Sequence, residues 1–383
     1  MRNVEYNKKL KRYRVGKVAA VIMVLAILVG ILALYNFRIK TKKYEKYEVI
    51  ETVSIQNIDN ANWANLGEDI LYYTTDGVMC MDEKGEVIWN KSYELEYPIV
   101  DICQSTGAIA EYNGTEIHLV SNKTPIEVID TGMPIKSFSV SKVGVIAVVL
   151  EDGEVTWIKV LDARGEVISS FKTTLDESGY PVCVELSDDG MLLAVSYIYT
   201  EEAQLRSRVA FYNFGEIGQN KSEMLVSGYD YSNTIVPYVK FIDEDIAFSA
   251  ADNRLSLYKG DEIPLHNGEI ILNDMVQAVY PLDDKVALLF YSQDEKAKYQ
   301  LNIYDDEATL TESIYFDMDY NEIIIDGSNI IIYNDREISI WNSKGKQIYS
   351  GTYARVIDKI LITEGRMRYV IISGDSLERI KLY

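Results

Sequence analysis

The sequence predicts an all-β fold: an eight-bladed β-propeller of four-stranded blades, closed by its N-terminal strand and preceded by one transmembrane α-helix. Three observations predict it. After Tyr44 no 3.6-residue apolar period is sustained, and short runs of Val, Ile, Tyr and Leu are separated by Gly, Asp and Asn, the pattern of strands and turns. One hairpin recurs along that whole stretch at a spacing near 40 residues. A single long uncharged run stands before it.

That run is Val18 to Tyr35, "VAAVIMVLAILVGILALY". As a helix it spans ~27 Å, close to the hydrocarbon thickness of a bilayer. The competing reading is a cleaved signal peptide, whose apolar part is shorter and ends in a small-x-small site. Here the run leads into "LYNFRIK" with no such site and no lipid-accepting cysteine. An uncleaved anchor centred on Val18, Leu25, Gly30 and Leu34 is the expectation. The domains then read as a basic tail (1–17), a span (18–37), a linker (38–46) and the propeller (47–383). Seven Lys/Arg precede the span and four follow it closely. This bias places the N terminus in the cytoplasm and the propeller outside.

Charge divides the chain in the same place. Residues 1–43 carry eleven Lys/Arg against Glu5, and the remainder carries 27 basic and 58 acidic residues, a net −31. A body that acidic offers no basic patch to displace phosphate counterions, which excludes nucleic acid as a partner. Cys80, Cys103 and Cys183 are odd in number and widely spaced, an arrangement of small buried hydrophobes rather than a disulfide framework.

The hairpin copies begin near Ile70, Ala108, Val145, Met191, Ile246, Val286, Ile330 and Tyr369, at intervals of 38, 37, 46, 55, 40, 44 and 39 residues. A unit of that length is the period of a four-stranded propeller blade, and eight copies predict eight blades. The last copy ends after its third strand, while "YEVIETVSI" (47–55) is a strand without a hairpin. Pairing the two closes the ring and removes an open edge. In "TTDGVMCMDEKGEVIWN" (74–90), Asp82 to Gly85 is read as the turn from a third strand to a fourth, with Gly85 supplying positive φ. Trp89 then covers the face of the next blade. Similar turns stand at "LDARGEVIS" (161–169) and "WNSKGKQIYS" (341–350).

These turns resemble the blade repeat of quinoprotein-type propellers, and "LSDDGMLLAVSY" (186–197) resembles the turn of WD40- or TolB-like blades. "SGYPVCVELSDDG" (178–190), "VAFYNFGEIGQN" (209–220) and "YSNTIVPYVKF" (231–241) together resemble an uncharacterised clostridial family. That likeness implies a single N-terminal span, an outer propeller-like domain and a cell-surface address, with no activity to carry over. The quinone cofactor of the first class is not carried over either, because no two cysteines adjoin.

Chemistry is sparse. His118 and His266 fall in different blades, and no nucleophile elbow, H-E-x-x-H or P-loop is present. The acidic pairs Glu68-Asp69, Asp188-Asp189, Asp243-Glu244-Asp245 and Asp283-Asp284 all occupy the turn between a blade's first and second strands, which reads as turn chemistry. "DMDYNE" (317–322) lacks the glycine and the final Glu of a calcium loop. No metal and no cofactor are expected, and no catalytic residue is named.

The repeat stretches in blade four. "YIYTEEAQLRSR" (197–208) is read as a long loop, and "GQNKSEMLVSGYDYSNTIVPY" (218–238) as a connection emerging on the same face. Blade six adds "YSQDEKAKYQ" (291–300) there. Tyr199, Arg206, Tyr229, Tyr231, Pro237 and Tyr238 are the candidate surface for a protein partner, itself membrane-associated because the linker is short. The expected function is a non-enzymatic interaction module of the cell envelope. The alternative is a glycan- or peptide-acting enzyme, which requires carboxylates from different blades converging on the inner strands.

Overall fold

Each second strand of the repeat is apolar on both faces because it lies in the middle of a sheet flanked by two others. In the computed structural model, which describes residues 23, 30, 42–55, 61–174, 178–201, 203–282 and 284–383, Ile146–Asp152 is buried over its first five residues and Lys285–Tyr291 over five in succession. The sheets are eight, each of four antiparallel strands. Seven run from inner to outer strand in chain order. Blade one, for example, is Asn62–Leu66, Asp69–Tyr73, Gly77–Met81 and Val87–Ser92.

The eighth blade takes three strands from the C terminus, Lys359–Ile362, Arg368–Ser373 and Ser376–Leu382, and its outer strand, Tyr47–Ser54, from the other end of the chain. Register runs from Tyr47 opposite Leu382 to Ser54 opposite Ser376. Arg379 staples this closure, donating to Glu51 at 2.7 Å on the N-terminal strand and to Glu83 of blade one. Tyr44 is buried against blades seven and eight. Its N–H donates to the Ile348 carbonyl at 2.8 Å, so the chain is already pinned there.

The apolar core is not central. It is divided into eight clusters, one in each seam between neighbouring blades, such as Leu66, Cys80, Trp89 and Ile109 between blades one and two. Trp89 covers the next blade as expected, its indole N–H donating to the Ser121 carbonyl at 2.9 Å. Fully burying one such side chain contributes about 1.5–3 kcal/mol, so every seam is a substantial part of the stability.

The third-to-fourth-strand turn is one device used repeatedly. Asp82 Oδ1 accepts from the N–H of Lys84 (2.9 Å) and Glu86 (2.8 Å), and Gly85, at φ +77°, donates to the Asp82 carbonyl. Asp162 with Gly165 and Asn342 with Gly345 repeat it. Blade six builds the same turn on Asp305 with Ala308, which is held at φ +64°. Two substitutions should therefore move stability in opposite directions. Ala308→Gly is expected to stabilise by about 0.5 kcal/mol, since the left-handed cost to Ala slightly exceeds the entropy cost of Gly. Gly165→Ala should cost about 1–2 kcal/mol, because its Cβ also meets Ile129 Cγ2 at 3.0 Å. Denaturant melts of the two variants check this pair of signs.

Among the described residues no helix is long and apolar enough to cross a membrane. The predicted span lies outside the described residues except for Met23 and Gly30, and Val18, Leu25 and Leu34 are outside them altogether.

Candidate functional site

Strands alternate in direction, so a blade's second-to-third turn and its connection to the next blade share one face, here the loop face. The first-to-second and third-to-fourth turns share the other, the turn face. Blade four differs from its neighbours on both. Its second and third strands, Leu192–Glu201 and Gln204–Asn213, are ten residues each. They pair from Leu192 opposite Asn213 to Glu201 opposite Gln204. In "YIYTEEAQLRSR", 197–201 and 204–208 are thus an arm of paired strands rather than a loop. The stretch 218–238 also departs from its reading. Its beginning belongs to a helix, Glu216–Gln219, and a 3-10 turn, Ser222–Met224, on the turn face. Leu225–Ser232 is the outer strand, and only 233–237 reaches the loop face.

The six candidate surface residues separate accordingly. Tyr199 and Arg206 face each other across the arm. Arg206 pairs with Glu201 at 2.9 Å, and Tyr199 donates to Asp230, which also takes Arg208 at 2.7 Å. Tyr231 is a correction. It is 8% exposed, and its hydroxyl meets that of Tyr258 inside the seam between blades four and five. Tyr229 is half-buried in the same seam, its hydroxyl donating to the Pro264 carbonyl at 2.9 Å and accepting from His266 N–H. Both tyrosines hold blades together. Pro237 and Tyr238 are exposed and line a groove of about 480 Å³ with Ala250, Ala251, Val276 and Val279, between blades five and six.

The two faces are unequal in aromatic exposure. Tyr97, Tyr112, Ile235, Tyr238, Met275 and Tyr291 are all exposed on the loop face. On the turn face the exposed large apolar residues among those described are Val143, Met191 and Tyr383 with the first residues of outer strands, Val87, Val167, Leu225, Leu265 and Leu310, so tyrosine rather than aliphatic exposure separates the faces.

The acidic turns are spent on construction. Asp188 accepts from the Cys103 thiol at 3.4 Å and from Gln104, Asp189 closes its own turn on Met191 N–H, and Asp243 does so on Asp245 and Ile246. Glu244 pairs with Lys142 of blade three, and Asp283 lies outside the described residues. In "DMDYNE", Asp319 pairs with Lys298 and Glu322 with Lys359. Among the described residues no group of three or more His, Cys, Asp or Glu stands close enough to hold a metal ion. Burial pushes the Cys80 and Cys103 thiols up to about 12 and that of Cys183 up to about 11, which makes them poor nucleophiles.

Sequence reasoning missed an inner girdle. Asn65, Asp101, Ser139, Glu185 and Lys240 hold one equivalent slot near the end of the inner strands of blades one to five. Each bonds a neighbouring blade. Asn65 exchanges two hydrogen bonds with Ile362 of blade eight, at 2.7 and 3.0 Å. Asp101 accepts from Val140 N–H at 2.7 Å, and Ser139 accepts from Leu186 N–H at 3.1 Å while donating to Glu185. Lys240 donates to Glu185 at 3.0 Å. Burial pushes the Glu185 carboxyl up to about 7, against the pull of Lys240 and with a further push from Asp101. Burial opposes the Lys240 ammonium, yet Glu185 and Tyr238 hold its proton more firmly than usual. The signal was present in the sequence: N-L, D-I, S-V, E-L and K-F, one polar residue before an apolar one in each of five aligned strands.

A disc of eight radial four-stranded sheets, the last of them shared between strands far apart in the chain, defines an eight-bladed β-propeller. The chain belongs to a family of unknown function, DUF5711, whose profile matches residues 40–382. The resemblance to an uncharacterised family thus holds. Similar solved structures include BamB from Moraxella catarrhalis, at 12% identity over 88% of this chain and 100% of that one, with a TM-score of 0.53. The computationally designed Ika8 protein is 11% identical over 89% of this chain and 100% of its own, with a TM-score of 0.57. A eukaryotic initiation factor is 12% identical over 84% and 83%, at 0.52. At such identities the likeness is one of fold. No curated protein sequence matches this one.

Proposed function

We propose that this chain is a membrane-anchored, extracytoplasmic, non-enzymatic protein-interaction module acting in cell-envelope assembly or sensing, with the loop face of blades four to six as its docking surface. The observation that supports this is the concentration of exposed tyrosine side chains on the face from which the arm projects. Apolar groups clustered beside polar rims mark docking surfaces. The anchor and the address rest on the uncharged run 18–35 and the lysines and arginines around it. The N-terminal strand starts at the turn face, so an anchor there leaves the loop face directed away from the bilayer. A membrane-impermeant amine reagent on wall-stripped cells should label Lys296; complete protection reverses the address.

Replacing residues 200–205 with Asn-Gly leaves Tyr199 and Arg206 to close a shorter hairpin. In-cell cross-linking should capture a stoichiometric partner on the full chain and lose it on the shortened one, with the thermal midpoint unchanged within about 2 °C. Retention of the partner would remove the arm from the docking surface. The second reading, an enzyme at the channel, draws on Asp101 and Glu185, which reach the inner wall from blades two and four. Both are committed to neighbours, which favours the structural role. Hydrolysis of wall glycans or peptides that Glu185→Gln abolishes would reverse that preference.

A further inference from the structure

The groove between blades five and six has an apolar floor and an acidic rim. Tyr238, Ala250 and Ala251 form one wall and Val276 and Val279 the other. Met275, next in the chain to the lining residue Val276, is 80% exposed. The groove's about 480 Å³ is at the small end of the roughly 300–1,000 Å³ of ligand pockets, and it is open to solvent, dimensions that suit side chains of a docking segment. Asp252 lines the groove, and Asp274 lies two residues before Val276 in the chain, in the adjoining pocket with Tyr291. Asp294 and Glu295 follow on the loop of blade six, whose Gln293 donates to Asp274 at 3.3 Å.

The cations nearby are already engaged. Arg254 pairs with Glu269 at 3.1 Å and Lys298 with Asp319. Among the described residues of this rim, Lys296 is the lysine outside an ion pair. One carboxylate, Asp252, lines the groove, and three more stand on the neighbouring loop-face segments of blades five and six against one ammonium outside an ion pair. A second copy of this chain would bring a body of net −31 against that rim, and like charge opposes such an approach.

We propose that the groove receives one or two apolar side chains of a partner protein segment whose flanking residues are lysine or arginine. This rests on the reading of the loop face as a docking surface and names the chemistry it docks. The apolar side chains displace water from the Tyr238–Val276 floor, while the flanking cations meet Asp252, Asp274 and Glu295. The floor sets affinity, and the rim sets selectivity and salt dependence.

The test uses the full-length chain in nanodiscs and three fluorescein-labelled peptides, Lys-Lys-Leu-Phe-Lys-Lys, Glu-Glu-Leu-Phe-Glu-Glu and Lys-Lys-Ser-Ser-Lys-Lys, followed by anisotropy. The first should bind at least about tenfold more tightly than either other, and added salt should weaken it. Met275→Ser and Tyr238→Ser should each remove most of that preference, and Asp252→Asn with Asp274→Asn should narrow the gap between the first two peptides. Met191→Ser, on the turn face, is the control and should change nothing. Equal binding of the three peptides, or full binding by both Met275→Ser and Tyr238→Ser, would overturn the proposal. So would a dimer in sedimentation that Met275→Ser disperses. If the peptides fail while the arm-dependent partner is still captured, the docking face stands and the groove's assignment falls. If both fail, both readings fall.

Discussion

A chain cut after Gly374 is expected to show no cooperative thermal transition, while one lacking residues 1–41 should melt within about 2 °C of the full chain. The removed strand, Ser376–Leu382, is the third of blade eight and pairs on both sides, with Arg368–Ser373 and with Tyr47–Ser54. It buries Leu377, Ile380 and Leu382 almost completely, at about 1.5–3 kcal/mol each. It also carries Arg379 and thus both bonds of the staple to Glu51 and Glu83. Without it the N-terminal strand has no partner and the seams on either side of blade eight are uncovered. The summed loss is comparable with the whole stability of a domain, about 5–15 kcal/mol. Calorimetry of the two truncations decides the matter, and a cooperative melt from the C-terminally shortened chain would show that closure is dispensable.

The second large effect concerns Glu185. Its carboxyl ordinarily ionises near 4.5 and is raised to about 7 in the fold. Between those values the folded state holds a proton that the unfolded state has released. Stability from this group is therefore complete below pH 4.5 and is lost as pH rises toward 7, by about 3 kcal/mol in all. The side chain is 17% exposed, so solvent screens little of this. Glu185→Gln should flatten that part of the pH profile. Lys240→Met should be the more damaging change, costing about 3–5 kcal/mol at pH 8, where a buried carboxylate loses its cation. The cost should shrink at pH 5, where Glu185 takes up a proton instead. Urea melts of the wild type and both variants from pH 5 to 8 give the slopes. A wild-type profile that rises over this range would contradict the assignment.

The blade count was legible because each seam demands the same apolar second strand, and Ile70, Ala108, Val145 and their successors mark that demand at nearly constant spacing. The turn chemistry was equally legible, since Asp82 with Gly85 and Asp162 with Gly165 use the same donors and the same positive φ. The candidate surface was legible only in part. An interval of 55 residues does not say on which side of an outer strand the extra residues fall, and here the helix at Glu216–Gln219 takes them to the turn face. Tyrosine is ambiguous for a physical reason. Its ring suits a seam and its hydroxyl suits water, so Tyr231 in the seam and Tyr238 at the surface look alike in a sequence. The girdle was hidden because Asn65, Asp101, Ser139, Glu185 and Lys240 share a position but not a chemical type.

The shared eighth blade also orders events in time. Tyr47–Ser54 leaves the ribosome early, and the strand it pairs with, Ser376–Leu382, emerges only after the seven intervening blades. At roughly 5–20 residues per second the growing chain spends tens of seconds as an open horseshoe whose first and last blades each show an unpaired apolar side. Such a species is the one that chaperones hold and proteases sample. Closure thereby couples the burial of the first seam to the synthesis of the eighth blade: until Ser376–Leu382 is made, that apolar side stays uncovered.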